Sequence, residues 1–257
     1  MTVSSVTNFF MCTSYKFHRL FVRQELSLNG ELVIEGAQFF YLAYVLRMKK
    51  GAKILLFNGH DGEWLAELTS INKKNAVVQI INQERLQTTR SDLVYCFAPL
   101  KHARLDYMVQ KAVEMGVSVL QPVITHHTQV TRINVARIEA NIVEAAEQCG
   151  VLYLPECAAP VSLKALLSCW DNKRSLFFCD ESHELCNPLP FFKKHGTKPA
   201  GILVGPEGGF SEEERFFLKQ HSFTIPISLG PRILRADTAA IVALAIVNAT
   251  IGDWGID

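Results

Sequence analysis

The sequence predicts an α/β protein in two parts: a small β-rich domain over residues 15–86 and a larger domain over residues 93–257. Three observations carry this reading. Short apolar runs bounded by turn residues crowd the first part. From Leu93 onward, apolar runs alternate with stretches of helical periodicity, as when helices cover a parallel sheet. Between the two textures lies a polar stretch, Gln83–Asp92, which is expected to be a linker.

The elements follow in order. Arg19–Val22 and Glu31–Ile34 read as short strands. Gln38–Arg47 carries Phe39, Leu42 and Leu46 at helical spacing. Lys53–Phe57 and Glu63–Leu68 flank the turn Asn58-Gly59-His60-Asp61-Gly62 and read as a hairpin, and Ala76–Ile81 adds a strand. In the second part, Leu93–Ala98 is a strand. Arg104–Met115 is a helix stopped by Gly116, and Val117–Ile124 is a strand. Asn134 can cap a helix whose buried stripe is Ile138, Ile142, Ala145 and Cys149, ended by Gly150. Leu176–Cys179 and Ile202–Val204 are continuous apolar runs that suit strands buried on both faces.

Composition narrows the function. Residues 1–91 hold eleven Lys and Arg against seven Asp and Glu, a net of +4, whereas residues 92–257 hold fifteen against eighteen, a net of −3. A basic small domain on a mildly acidic larger one fits an RNA-docking module attached to a catalytic body. No apolar run reaches the ~18 residues of a membrane helix. The N-terminus has neither the basic start nor the apolar stretch of an export signal. No membrane association and a cytoplasmic location are therefore expected. The seven cysteines are odd in number and include no Cys-x-x-Cys pair, so neither a disulfide framework nor a zinc ribbon is expected. His126-His127 on an extended segment would point to opposite faces. Cys179-Asp180-Glu181-Ser182-His183-Glu184-Leu185-Cys186 reads as a loop after a buried strand. No metal is expected at either place.

Two stretches point to chemistry. Gly201-Ile202-Leu203-Val204-Gly205-Pro206-Glu207-Gly208-Gly209-Phe210-Ser211 is a buried strand, a glycine turn and a helix entry, with Ser211 and Glu214 as a capping box. Glycines let a ligand approach the main chain closely, and ligands of α/β sheets bind beyond the C-terminal ends of strands. Glu212, Glu213 and Glu214 in the first helical turn disfavour a phosphate there. The second stretch, Leu229-Gly230-Pro231-Arg232-Ile233-Leu234-Arg235-Ala236-Asp237-Thr238, follows the strand Thr224–Leu229. Asp237 or Thr238 can cap the next helix. Arg232 and Arg235 are more cation than a cap requires, and can hold a phosphate or offset a developing anion.

Together these motifs resemble the RsmE family of 16S rRNA uridine N3-methyltransferases, in the SPOUT superfamily. The blocks Val45-Leu46-Arg47-Met48, Gln110-Lys111-Ala112-Val113-Glu114-Met115-Gly116 and Glu144-Ala145-Ala146-Glu147-Gln148-Cys149-Gly150 extend the resemblance over most of the chain. It implies a small PUA-like β-barrel domain and a C-terminal trefoil-knot methyltransferase domain acting as a homodimer. It also implies S-adenosylmethionine held by Val204, Gly205, Pro206, Glu207, Gly208 and Gly209 with Leu229, Gly230, Ile233 and Leu234. The implied target is N3 of uridine 1498 of 16S rRNA in the small ribosomal subunit. That nitrogen must lose its proton to attack a methyl group. Arg235 is expected to stabilise the uridine anion or the adjacent phosphate, Arg232 to face RNA, and Glu207 or Asp237 to take the proton. Arg19, Arg47, Lys49 and Lys50 are expected to meet RNA. Departures from the family pattern are Asp237 for Glu, and Val151 and His127 where Arg is common. Alternative readings are a methyltransferase for another rRNA or tRNA base, and a non-catalytic RNA-binding assembly factor.

Overall fold

The computed structural model describes residues 16–130, 132–181, 187–195, 199–252 and 254. The chain divides into two compact units, one ending at Leu86 and the other starting at Gln87. In the first, β1 (Arg19–Phe21), β2 (Glu31–Glu35), β3 (Lys53–Phe57), β4 (Glu63–Ile71) and β5 (Asn75–Arg85) form a half-barrel ordered β1-β3-β4-β5-β2. β1 pairs with β3 in parallel and the other pairs are antiparallel. The expected hairpin joins β3 to β4. Asn58 Oδ1 accepts the N–H groups of His60 and Asp61, and Gly59 and Gly62 take positive φ. Register shifts along β4 and β5 curve the sheet. Helix α1 (Gly36–Phe40) runs on into a π-helical turn over Tyr41–Val45. Phe39 and Leu42 from this segment join Leu20, Ile34, Ile54, Leu56 and Val78 in the core.

Two expectations are corrected in this unit. The polar stretch 83–92 begins as strand, because β5 continues to Arg85. Across the strand pair, Arg85 Nε and Nη2 donate to the Glu63 carboxylate at 2.8 and 2.9 Å. Arg19, expected at RNA, is buried instead. Its Nε donates to Glu63 at 2.6 Å, its guanidinium lies 4.3 Å from the centre of the Phe57 ring, and its side chain is 1% exposed. A buried carboxylate needs cationic donors, and Arg19 serves that purpose.

In the second unit, β6 (Leu93–Phe97), β7 (Val119–Ile124), β8 (Glu156–Cys157), β10 (Ser175–Cys179), β11 (Ala200–Val204) and β12 (Thr224–Ile227) form a parallel sheet. Its order is β12-β10-β11-β6-β7-β8, and β9 (Val161–Ser162) also pairs with β7. The helices are α2 (His102–Glu114), α3 (Val135–Cys149), α4 (Leu163–Cys169), α5 (Leu189–His195), α6 (Glu212–Lys219) and α7 (Ala236–Thr250). The apolar runs Leu176–Phe178 and Ile202–Val204 are buried throughout, as strands covered on both faces must be. Asn134 caps α3 by accepting the Arg137 N–H, and Gly150 ends that helix at φ 87°. The N-cap of α7 lies two residues before Asp237 and three before Thr238, the expected caps. It is Arg235, which gives no side-chain cap bond, and Asp237 lies inside the first turn, where a carboxylate favours the helix dipole. Near the other end of α7, buried Asn248 donates to the Met115 carbonyl.

Candidate active site

β10, β11 and β12 lie side by side, and a cleft opens beyond their C-terminal ends. This is where parallel sheets place ligands. The turn after β11 forms one wall. Gly209 N–H donates to the Pro206 carbonyl at 2.9 Å, which closes the turn, and Gly209 takes φ 67°. A Cβ at Gly209 would collide with Glu181 Oε1, and one at Gly205 would stand 3.0 Å from the Phe210 ring. The turn is therefore built for backbone, not side chains, to face the cleft. α6 follows with the expected capping box: Ser211 Oγ accepts the Glu214 N–H, and Glu214 Oε2 accepts the Ser211 N–H.

The loop after β12 forms the opposite wall, with Gly230 at φ 110° and open space where its side chain would be. Val204, Gly205, Pro206, Glu207, Gly209, Leu229, Gly230, Ile233 and Leu234 all line the cleft, as does Arg232. Gly208, Arg235 and Asp237 do not. Gly208 packs against His127: a Cβ at that glycine would stand 3.2 Å from the His127 Cβ. Arg235 is exposed at the entry of α7, and Asp237 is half-buried in its first turn. Neither Arg232 nor Arg235 forms an ion pair among the described residues. Arg47, Lys49 and Lys50 are likewise exposed in the first unit.

Several lining residues have no counterpart in the sequence reading. Cys179, Asp180 and Glu181 follow β10 into the cleft, and Arg215 reaches it from α6. Arg215 is 12% exposed and binds Asp180, Glu181 and Glu212. A signal for them does exist: Cys179-Asp180-Glu181 directly follows a buried parallel strand, which is the ligand-facing position. Residues 182–186 of that segment lie outside the described residues. Burial pushes the Cys179 thiol up to about 12. Glu207 is paired with Arg104 of α2, a second contact that the sequence did not indicate.

The His126-His127 segment is also corrected. It is a turn rather than an extended strand, closed by Thr125 and Thr128, and the two rings meet edge to face at 4.8 Å. His126 N–H donates to Glu214 Oε1, and His127 Nδ1 lies 3.2 Å from the Gly209 carbonyl. The turn thus braces the glycine wall from behind. Among the described residues no cluster of His, Cys, Asp and Glu could hold a metal, no helix is long and apolar enough to cross a membrane, and no cysteine forms a disulfide.

Comparison with known proteins agrees with this layout. Residues 87–248 match the RNA methyltransferase domain and residues 34–81 match the RNA methyltransferase PUA domain. The chain is 32% identical to ribosomal RNA small subunit methyltransferase E of Rickettsia conorii, over 91% of this chain and 96% of that one. Among solved structures, the ribosomal RNA small subunit methyltransferase E of Neisseria gonorrhoeae bound to S-adenosyl methionine superposes with a TM-score of 0.82 at 25% identity, over 93% and 99% of the two chains. A Legionella pneumophila methyltransferase in complex with the same cofactor gives 0.76 at 29% identity, over 91% and 98%. The fold is accordingly that of an RNA methyltransferase domain preceded by a PUA domain. With both domains matched in order and the two glycine loops meeting at one cleft, the chain belongs to the RsmE family of RNA methyltransferases.

Proposed function

We propose that this chain methylates N3 of uridine 1498 in 16S rRNA of the small ribosomal subunit, with S-adenosylmethionine as methyl donor. One observation carries the reading: both glycine loops, separate in sequence, line a single cleft beyond β10, β11 and β12. The cleft suits the cofactor. Its glycines leave backbone groups facing the ligand, and its lining mixes the carboxylates of Asp180, Glu181 and Glu207 with the guanidinium groups of Arg215 and Arg232. When bound, S-adenosylmethionine supplies a methyl group activated on a sulfonium.

The chain's own residues then have three tasks. The backbone of Gly205–Gly209 and of Leu229–Leu234 holds the cofactor. Arg235 and Arg232 are exposed and without ion pairs among the described residues: Arg235, at the entry of α7 outside the cleft lining, stabilises the uridine anion or holds the adjacent phosphate, and Arg232 is a second RNA-facing cation. A carboxylate receives the N3 proton. Of the two expected, Glu207 lines the cleft and Asp237 does not, so Glu207 is assigned the role. The family reading further assigns a trefoil knot to the two loops, a homodimer as the working form and the cytoplasm as the location.

The test is transfer of labelled methyl to small subunits lacking the modification, with the methylated base mapped. Label on N3 of that uridine is the expected result. Arg235→Ala should lower turnover about a hundredfold, the scale of losing one preorganised anion donor, while calorimetry shows unchanged cofactor affinity. Normal turnover in Arg235→Ala would remove its role. Cofactor binding without transfer to this uridine would point to another RNA target, and no cofactor binding to the assembly-factor reading.

A further inference from the structure

Among the described residues of the first unit, the exposed aromatic side chains are gathered, not scattered. Phe40, Tyr44 and Val45 are 58%, 57% and 57% exposed, and Tyr41 is 39% exposed. All lie at the end of α1 or in the π-helical turn that follows it. Phe39 and Leu42 of the same segment are buried in the core, so the outward residues form a separate face. The Phe40 and Tyr44 rings lie 4.9 Å apart and 32° from parallel, which makes one shallowly tilted aromatic surface. Tyr44 also meets the buried Phe39 ring edge-on at 6.1 Å, which anchors that surface to the core.

Cations follow it directly in the chain. Leu46 N–H reaches back to the Tyr41 carbonyl, and the segment ends at Arg47, whose φ of 52° is in the left-handed region. Arg47, Lys49 and Lys50 follow as exposed side chains. From Gly36 to His60 the sequence has no Asp or Glu. An exposed aromatic face alone would suit many partners. One embedded in an acid-free, cationic stretch selects a polyanion that also carries flat apolar groups.

We propose that Phe40 and Tyr44 are a stacking platform for unpaired RNA bases, with Arg47, Lys49 and Lys50 holding the flanking phosphates. Aromatic stacking contributes about 1–3 kcal/mol per base and requires bases that are free of a duplex. The platform therefore gives the first unit a preference for single-stranded over paired RNA. It rests on the RNA reading above but not on methyl transfer.

The experiment uses the full chain, a fluorescein-labelled oligouridylate about twelve nucleotides long and a blunt RNA duplex of the same length. Binding is followed by polarisation over a salt series. The double variant Phe40→Ala, Tyr44→Ala should bind the single strand about tenfold more weakly, with its salt dependence and its duplex affinity unchanged. The variant Phe40→Leu, Tyr44→Leu, which keeps apolar surface but lacks rings, should show the same loss. Lys49→Ala with Lys50→Ala should instead flatten the salt dependence, by about 0.7 in slope for each phosphate no longer neutralised. Unchanged single-strand affinity in both aromatic variants would overturn the proposal. So would an equal loss on duplex, or a shift in sedimentation showing that the rings join two copies of the chain. Cofactor calorimetry on the same proteins separates the two readings. A wild type that prefers single strands but binds no S-adenosylmethionine keeps the platform and removes the methyltransferase; the opposite pattern does the reverse.

Discussion

Glu63 holds two arginines at 2% exposure, one buried with it and one reaching in from the surface. Removing the carboxylate leaves Arg19 with its charge inside the half-barrel. Breaking such a buried pair costs about 3–5 kcal/mol, so Glu63→Ala should unfold the first unit at clearly lower urea. A midpoint equal to wild type would mean that Arg19 finds another way to be solvated. This residue also marks a limit of reading charge from sequence. Arg19 counts toward the +4 of the first ninety-one residues, yet contributes nothing to its surface. Only a strand register can pair it with a carboxylate forty-four residues away. Arg47, Lys49 and Lys50 were legible because the backbone leaves them outside.

At the scale of elements, two local devices invite measurement. Ser211 and Glu214 bind each other's N–H groups at the start of α6, and Glu214 also accepts the His126 N–H. Ser211→Ala should cost about 1 kcal/mol, the usual loss for an N-cap hydroxyl. Because the cap stands directly after the Gly205–Gly209 turn, cofactor affinity measured by calorimetry should fall with it; unchanged affinity would show that the turn holds its shape unaided. The hairpin between β3 and β4 gives a pH signature. The Leu26 N–H and the Asn58 side-chain amide both donate to Asp61, and they hold its carboxyl below the ordinary 3.8. A lowered folded value means that the stabilisation is complete above pH 3.8 and is lost as pH falls through that lowered value. Urea midpoints taken from about pH 5 down to about pH 2 should therefore drop more steeply for wild type than for Asp61→Asn. Parallel curves would assign the acid sensitivity elsewhere.

The same scale shows why some elements were readable and others not. The capping box, the Asn134 cap and the Gly116 and Gly150 stops are written in adjacent residues, and the structure has each of them. The two-residue strands β8 and β9 carry no periodicity to find. The π-helical turn hinges on one longer hydrogen bond that propensity does not encode. In the cleft, the glycine walls were legible as motifs. Asp180 and Glu181 stand at a strand end that the sequence marks only as a loop, and Arg215 comes from a helix face that no motif flags.

For the whole molecule, the loop after β12 is the place to look for assembly. Ile233 is 90% exposed on the rim of the cleft, an unusual position for a large apolar side chain. If the dimer of the family reading forms here, Ile233→Asp should shift sedimentation toward a monomer and reduce methyl transfer together. A dimer that survives the change would place the interface on another surface. At the same scale, binding to RNA should weaken steeply with salt, since the exposed cations of the first unit act through phosphates.

The strand order has a consequence for how the chain is made. Every pairing in the half-barrel lies within the first eighty-six residues, so that unit can close as soon as it leaves the ribosome. β6 cannot. Its neighbour β11 is paired in register Leu93 with Ala200, more than a hundred residues later in synthesis. At ~5–20 residues per second, an apolar edge of β6 waits roughly 5–20 s for its partner. During that interval the nascent chain carries a finished basic module and an unfinished sticky sheet. The first unit is thus complete in its pairings well before the sheet of the second has its central strand.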